Sequence, residues 1–282
     1  MPEKSLLSEK SLSQILEDPE KLQHRFTCTM ADDGYNLLLG KENSHEVSAR
    51  LRSVSGKGAG AFLQAIPTSN ELALKPGKFR LAACLRLGLH LPFQGMQDKC
   101  DCGTHLDSFG YHLMTCKHGG GPVWAHDSIV SSCSECLKKL AVLHKKEPKH
   151  RYLNNEGRPD ILICHTGILS DQEMDISLAH PWSKEVVKNC AKLSGFAAKK
   201  REKMKNAKYD EILPGGSAPK CIPVVFEHFG TWGVSTERLL NTLSLKSKDK
   251  EGKNNSADFK TYWRRCFSVT LQKLNARVMM KN

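Results

Sequence analysis

The spacing of apolar residues predicts a mainly helical N-terminal region over residues 1–97. Apolar positions recur there at helical spacing, and FRLAACLRLGL (79–89) is typical of a buried helix that carries its arginines on a polar side. We expect a turn at DDG (32–34) and a flexible turn in the glycine-rich SGKGAG (55–60). Beyond residue 97 the pattern changes.

Residues 122–245 alternate between helix and strand patterns, which predicts an α/β domain with the order helix, three strands, helix, strand. The predicted elements are a long helix over 122–147, an extended piece at 150–153, strands beside Asp160 and Asp175, a basic helix over 184–209 broken at Ser194-Gly195, and a buried strand at 221–227. A lysine- and serine-rich flexible linker (246–258) and an amphipathic helix (259–282) are expected to follow.

Two aspartates of this domain lie beside apolar runs. In RPDILICHTGILSDQEMDISL (158–178), Asp160 precedes ILI and Asp175 precedes Ile176, with a polar segment between them. A β-hairpin would bring the two carboxylates side by side. Such a pair can bind Mg²⁺, which prefers oxygen ligands and can activate water for attack on a phosphodiester. The alternative is that Asp160 caps a turn after Pro159 and Asp175 only begins a strand.

Residues 98–121 form a cysteine- and histidine-rich segment. Two cysteines lie one residue apart, and a histidine and a cysteine follow at i and i+4, where they would share one face of a helix. The spacing predicts a structural Zn²⁺ site, a CCHC-type zinc knuckle, with the ligands Cys100, Cys102, His112 and Cys116. His105 and His118 are alternative ligands. The other interpretation is buried free cysteines and a surface histidine.

The formal net charge of +12 makes nucleic acid the first polyanion to consider as a partner. No apolar run approaches the length of a membrane span, and the start MPEKSLLSEK lacks the apolar core of a secretory signal. We therefore expect an intracellular protein whose eleven cysteines are reduced or bound to metal.

The order and spacing of several short motifs resemble a known family. The match covers about residues 46–245, and weakly the last helix, and its motifs are RLRSVSGKGAGAFLQAIP, FRLAACLRLGL, YHLMTCKHGGG, RPDILI, KNAKY and PVVFEHFGTWG. Together they resemble the carboxy-terminal zinc-knuckle and restriction-like endonuclease region of non-LTR retrotransposon reverse transcriptase proteins. The polymerase domain that precedes this region in such elements has no counterpart in the sequence, so the resemblance implies a detached fragment, a truncated copy or a domesticated remnant.

The resemblance implies a PD-(D/E)xK nuclease core preceded by a helical region and a small zinc knuckle. By position, Pro159-Asp160 corresponds to the PD motif and Asp175 to the second acid. Ser177 stands where the motif lysine would lie, and the family places a lysine on the following helix instead.

The following helix offers two lysines for that role. Lys205 is favoured because it lies four residues before Tyr209, and Lys208 is the alternative. Glu147 is a candidate third acid.

These observations predict a metal-dependent DNA endonuclease. Mg²⁺ or Mn²⁺ would be held by Asp160 and Asp175, with Lys205 and Tyr209 as the other catalytic residues and Zn²⁺ in the knuckle. The expected partner is DNA, with RNA as the alternative, and we expect neither a membrane nor a small-molecule cofactor. The basic helix suits a nuclear location or a solvated face. The alternatives are a non-catalytic zinc-dependent nucleic-acid-binding module and a zinc-stabilised interaction protein.

Overall fold

The computed structural model describes residues 19–41, 44–92, 99–118, 121–149, 158–164, 172–212, 221–251 and 255–280. The chain divides into two compact units, Met1–Ser44 and the remainder from His45. The first unit contains helix α1 (Pro19–Lys41). The turn predicted at residues 32–34 is therefore wrong. The helical stretches on both sides outweigh the cost of one glycine in a helix, which is about 1 kcal/mol.

The second unit has a mixed α/β fold, which confirms the predicted class. Its elements are α2 (His45–Ser55), a 3-10 helix (Ala61–Gln64), α3 (Pro76–Leu87), α4 (Tyr111–Thr115), α5 (Gly121–Lys139), β1 (His144–Lys146), β2 (Ile161–Ile163), β3 (Glu173–Ala179), α6 (Val187–Cys190), α7 (Phe196–Ile212), β4 (Cys221–Glu227), α8 (Val234–Glu251) and α9 (Asn255–Met279). Within the described residues, no helix has the length and apolar character needed to cross a membrane.

The four strands form one mixed sheet in the order β1-β2-β3-β4. The first three strands are antiparallel neighbours, and β4 is parallel to β3. Ile161 of β2 lies opposite Met174 of β3, so the pairing expected of a hairpin is present. The segment that joins these two strands, 165–171, lies outside the described residues. Helices α6 and α7 lie in the connection from β3 to β4, as a parallel pair requires.

The two faces of the sheet have different roles. Met174 and Ile176 of β3 are buried in the main core with Ile129 of α5, Leu240 of α8 and Phe267 of α9. Because successive side chains of a strand point to opposite faces, the residues between them face the other way. Asp175 and Ser177 therefore lie on the α7 side of the sheet.

The first strand lies earlier in the sequence than predicted. Helix α5 ends at Lys139 and β1 follows at 144–146, whereas a helix to residue 147 and an extended piece at 150–153 were expected. Residues 150–153 lie outside the described part of the chain. The positive φ of 52° at Ala141 breaks the helix. Leu140 and Val142 are buried in the core, so their apolar character reflects burial and not a longer helix.

The linker predicted at 246–258 is largely helical. Helix α8 continues to Glu251 and α9 begins at Asn255, and residues 252–254 lie outside the described residues. The polar composition suggested flexibility, but Leu239, Leu240 and Leu243 anchor α8 in the core. Lysine and glutamate are good helix formers, so the polar end extends that anchored helix.

The buried carboxylate of Glu227, which is 1% exposed, connects three parts of the fold at the end of β4. Its Oε2 accepts a hydrogen bond of 2.6 Å from the Ser53 hydroxyl of α2. Its Oε1 accepts one of 3.0 Å from the backbone N–H of Ala198 in the first turn of α7. Burial raises the pKa of this carboxyl above its ordinary value. Glu227 thus holds the N-terminal end of α7 against the sheet.

Replacing Glu227 by alanine is expected to lower the free energy of unfolding by about 2–4 kcal/mol, because two buried donors lose their acceptor. Glu227→Gln keeps one acceptor oxygen and should lose less. Urea unfolding followed by circular dichroism measures both variants. A loss below about 1 kcal/mol for Glu227→Ala would contradict this role.

Candidate active site and metal centre

Two local features shape the cysteine- and histidine-rich segment. A tight turn begins at Cys100, whose carbonyl accepts a hydrogen bond of 2.7 Å from Gly103, and Gly103 has a φ of 84° that favours glycine. Asp107 then caps α4: its two carboxylate oxygens accept backbone hydrogen bonds of 3.0 Å from Tyr111 and His112. The turn places the first two cysteines, and the capped helix places the histidine and the last cysteine.

The four predicted zinc ligands converge. Their ligand atoms all lie within 4.8 Å of one another. Cys100 Sγ is 3.7 Å from Cys116 Sγ, and Cys102 Sγ is 3.2 Å from His112 Nε2. A tetrahedral zinc with Zn–S bonds of about 2.3 Å separates two sulfurs by about 3.8 Å. The cluster can therefore hold a metal ion, and its donors fit zinc. The alternative ligands His105 and His118 do not belong to it.

The thiols of the cluster have different pKa values. Hydrogen bonds with the hydroxyl and backbone of Thr104 lower the pKa of Cys102 to about 6. Burial raises the pKa of Cys116 to about 11. A bound dication would favour the thiolate form at every cysteine ligand, so metal binding should release protons.

The zinc-knuckle segment is packed onto the rest of the fold. Tyr111 and Leu113 of α4 are buried in one cluster with Phe229, which follows β4, and Met279 of α9. Three residues at the end of the segment also line a cleft on the α7 side of the sheet; they are Met114, Thr115 and Lys117. The zinc-knuckle segment therefore forms part of the wall of this cleft.

Asp160 directly precedes β2. Its carboxylate accepts a backbone hydrogen bond from β3, as a residue of a paired strand would. Its backbone N–H donates to the carbonyl of Met174 at 2.9 Å. Its Oδ2 accepts a hydrogen bond of 2.5 Å from the backbone N–H of Ile176, and its Oδ1 lies 3.1 Å from Nε2 of His126 on α5.

Asp175 lies on the neighbouring strand and is 4% exposed. Lys205 Nζ donates to Asp175 Oδ1 at 2.6 Å, and the Tyr209 hydroxyl donates to Oδ2 at 2.9 Å. The spacing of four residues on α7 puts Lys205 and Tyr209 on one face of the helix. The structure thus joins Asp175, Lys205 and Tyr209, three of the four residues that the sequence had grouped as catalytic.

Asp160 and Asp175 line the same cleft, which has a volume of about 430 Å³. No protein-family model matches this chain, and no curated protein matches it significantly. What the cleft can bind or catalyse is therefore inferred from the residues that line it. Five lysine and arginine side chains line it beside the two carboxylates: Lys117, Arg158, Arg201, Lys205 and Lys208. Their excess of positive charge suits a polyanionic ligand.

Two other predicted candidates differ from Lys205 in position. Glu147 forms an ion pair with Arg158 and does not line the cleft. Lys208 lines the cleft, but its ammonium lies over the Tyr209 ring, 5.9 Å from the ring centroid. Among the lysines considered for the site, Lys205 is the one bonded to Asp175.

The carboxylate pair has donors that suit a hard cation. Each of the four oxygens of Asp160 and Asp175 has one protein partner described above, and a carboxylate oxygen can accept in a second direction. The N–H and C=O of one strand residue point to the same edge, so the carbonyl of Ile176 points towards Asp160. However, one group in the described part of the chain has three or more Cys, His, Asp or Glu side chains close enough to share an ion. That group is the zinc-knuckle cluster, and it does not include Asp160 or Asp175.

Sequence reasoning missed His126. Its Nδ1 lies 3.1 Å from Asp127 Oδ1 and its Nε2 lies 3.1 Å from Asp160 Oδ1, so both ring nitrogens face carboxylates. A histidine hydrogen-bonded to two carboxylates favours the imidazolium form, and the bond to Asp160 contributes most to raising the pKa of His126 to about 9. The only sequence signal was a histidine one turn into the helix that precedes the strands.

The His126 contact predicts that stability depends on pH. The pKa of His126 rises from 6.5 to about 9 on folding. Its stabilisation is therefore fully present below pH 6.5 and is lost as pH rises through about 9. We expect a loss of about 1–2 kcal/mol after allowance for solvent screening. Urea unfolding without added magnesium at the two ends of this range measures the loss, and His126→Gln should remove it. If His126→Gln loses as much stability as the parent between these two pH values, groups other than His126 cause the pH dependence.

Proposed function

We propose that this chain is a metal-dependent DNA endonuclease of the PD-(D/E)xK type, related to the endonuclease region of non-LTR retrotransposons. The observation that carries the proposal is the placement of two carboxylates in one basic cleft: Asp160, which directly precedes β2, and Asp175 of the adjacent strand β3, to which a lysine is bonded. The order of α5, three strands, α7 and β4 supports it, because this is the order that the resemblance implies.

Asp160, Asp175 and the carbonyl of Ile176 are the groups that would hold Mg²⁺ or Mn²⁺. When bound, the metal polarises a phosphoryl oxygen and lowers the pKa of water. Lys205 stabilises negative charge on the phosphate or orients the attacking water beside Asp175. Tyr209, which is 5% exposed, keeps the Asp175 carboxylate in one orientation through its hydroxyl.

Lys205 takes the role of the lysine that the motif places two residues after the second acid. Ser177 stands at that position and shares the strand face of Asp175. Lys205 reaches the same carboxylate from α7, with its Nζ 2.6 Å from Asp175 Oδ1. A cation supplied by a helix can therefore serve where the strand provides a serine.

DNA is the proposed partner because a basic cleft favours a phosphate backbone. The end of the zinc knuckle contributes Lys117 to the cleft, and α7 contributes Arg201, Lys205 and Lys208. Contacts of this kind position the backbone and read little sequence. A nuclear location follows from this substrate and belongs to the same proposal.

A second candidate is a zinc-dependent nucleic-acid-binding module without catalysis. The specific observation in its favour is that both carboxylates already have protein cations, His126 at Asp160 and Lys205 at Asp175. The cleft can therefore balance these charges without a metal, and the basic lining would still bind phosphates.

Incubation of the zinc-loaded protein with supercoiled plasmid separates the two candidates. The endonuclease should nick the plasmid with Mg²⁺ or Mn²⁺ and should bind DNA without nicking when Ca²⁺ replaces them. Activity should be lost in Asp160→Ala and in Asp175→Ala with zinc content unchanged. Tight, salt-sensitive binding without nicking by the parent protein would instead support the binding module.

A further inference from the structure

Three buried polar atoms of the cleft lining have no hydrogen-bond partner in the described part of the protein. They are Ser177 Oγ, His180 Nδ1 and Arg201 Nε. The described residues contain seven such side-chain atoms, and three of them belong to this one cleft. Buried polar groups in proteins are nearly always hydrogen-bonded. Their concentration beside the carboxylate pair therefore indicates a place where a polar ligand binds.

Arg201 differs from three of the other cations that line the cleft, Arg158, Lys205 and Lys208. Lys205 is bonded to Asp175, Arg158 pairs with Glu147, and Lys208 lies over the Tyr209 ring. Arg201 has no carboxylate within ion-pair distance among the residues described. It lies four residues before Lys205 on α7, so both side chains occupy one face of the helix. Its guanidinium is therefore available to an anion beside Asp175.

His180 and Ser177 are uncharged polar groups. Burial, together with the neighbouring His228, lowers the pKa of His180 to about 3, so its imidazole is neutral at physiological pH. A neutral imidazole with its proton on Nδ1 can donate one hydrogen bond there, as the Ser177 hydroxyl can from Oγ. Ser177 also shares the strand face of Asp175, which places its hydroxyl on the side of the sheet where the carboxylate lies.

We propose that Arg201, His180 and Ser177 form a phosphate-binding subsite that holds the DNA backbone next to the carboxylate pair. The guanidinium fork binds two oxygens of one phosphate, and the neutral groups donate to the same phosphate or to its sugar. The proposal rests on the proposed function for its ligand. It assigns a contact with the nucleotide beside the reacting one and no catalytic step.

The test uses the zinc-loaded chain of 282 residues and a fluorescein-labelled DNA duplex with Ca²⁺ in place of Mg²⁺. Arg201→Ala should weaken binding about tenfold or more and reduce the slope of log affinity against log salt by about one. Arg201→Lys should restore the slope and only part of the affinity, because it keeps the charge and loses the fork. The matched control is Lys203→Ala on the same helix, an exposed residue outside the cleft.

Ser177→Ala separates a ligand-binding role from a structural one. Removal of a buried hydroxyl without a partner should leave the melting temperature unchanged or raise it. The same change should weaken DNA binding about two- to fivefold if the hydroxyl contacts the ligand. A lower melting temperature with unchanged binding would mean that the serine serves packing, and would remove it from the subsite.

Plasmid nicking with Mg²⁺ in the same samples tests the endonuclease activity separately from the phosphate-binding subsite. If the parent nicks DNA and Arg201→Ala binds and nicks like the parent and the Lys203→Ala control, the subsite is wrong and the endonuclease stands. If the parent does not nick DNA but Arg201→Ala loses affinity and salt dependence, the endonuclease is wrong and the subsite stands within a binding module. Circular dichroism and zinc content confirm that each variant is folded.

Discussion

Replacing Asp175 by asparagine is expected to reduce magnesium-dependent nicking at least about 1,000-fold, which corresponds to about 4 kcal/mol of activation free energy. The amide has the shape of the carboxylate but not its charge, so the proposed metal site loses an anionic ligand and Lys205 loses the negative charge that lies 2.6 Å away. Asp160→Asn should have an effect of similar size, because Asp160 supplies the other carboxylate. Rate constants for loss of supercoiled plasmid at saturating protein measure the effect.

Asp210→Asn is the matched control for these two variants. Asp210 is exposed, lies next to Tyr209 on α7 and does not line the cleft. The same change of charge at this position should leave the nicking rate within about twofold of the parent, because exposed charges are screened by solvent. Equal losses in Asp210→Asn and Asp175→Asn would show that the overall charge of the helix, and not the carboxylate pair, controls the activity.

The two candidate lysines can be separated in the same assay. Lys205→Ala should lower the rate about 100-fold, the typical cost of removing one group that stabilises developing charge. Lys208→Ala should cost much less, because its ammonium lies over the Tyr209 ring and not at Asp175. The reverse order of effects would assign the catalytic cation to Lys208.

Loss of the zinc-knuckle metal is expected to have the largest effect on stability. Structural zinc contributes apparent binding free energies of about 10–16 kcal/mol in small zinc domains. Only part of this would appear as global stability here, because α4 is also held by the cluster around Tyr111 and Leu113. We expect Cys116→Ser to lower the free energy of unfolding by about 3 kcal/mol, which corresponds to a fall of roughly 6–12 °C in the melting temperature. Metal analysis should find one zinc in the parent and none in the variant.

Cysteine and histidine controls make the zinc prediction specific. Cys28→Ser replaces an exposed cysteine outside the cluster and should keep the metal and the melting temperature. His105→Ala and His118→Ala should also keep the metal, because neither side chain belongs to the cluster. Zinc lost in either histidine variant and kept in His112→Ala would contradict the ligand set.

Removal of the zinc should also lower DNA affinity. Lys117 lines the cleft and lies next to the zinc ligand Cys116 in the chain, so loss of the metal should disturb its position.

Local patterns in the sequence determined the elements and the residues near them. Strand patterns beside Asp160 and Asp175 predicted two strands that are indeed antiparallel neighbours. Helical spacing alone put Lys205 and Tyr209 on one face, and the spacing of the knuckle cysteines and histidine selected the four residues that converge. These features depend on contacts within a few residues, where the backbone geometry is set by the chain itself.

Only the tertiary structure decided which distant groups meet. The contact of His126 with Asp160 requires α5 to pack across the sheet, and the unpartnered Nε of Arg201 depends on how α7 lies over β3 and β4. The position of β1 and the helical form of residues 246–251 were missed for the same reason. Burial in the core through long-range packing overrode the local composition, and a single sequence carries no direct signal of such packing.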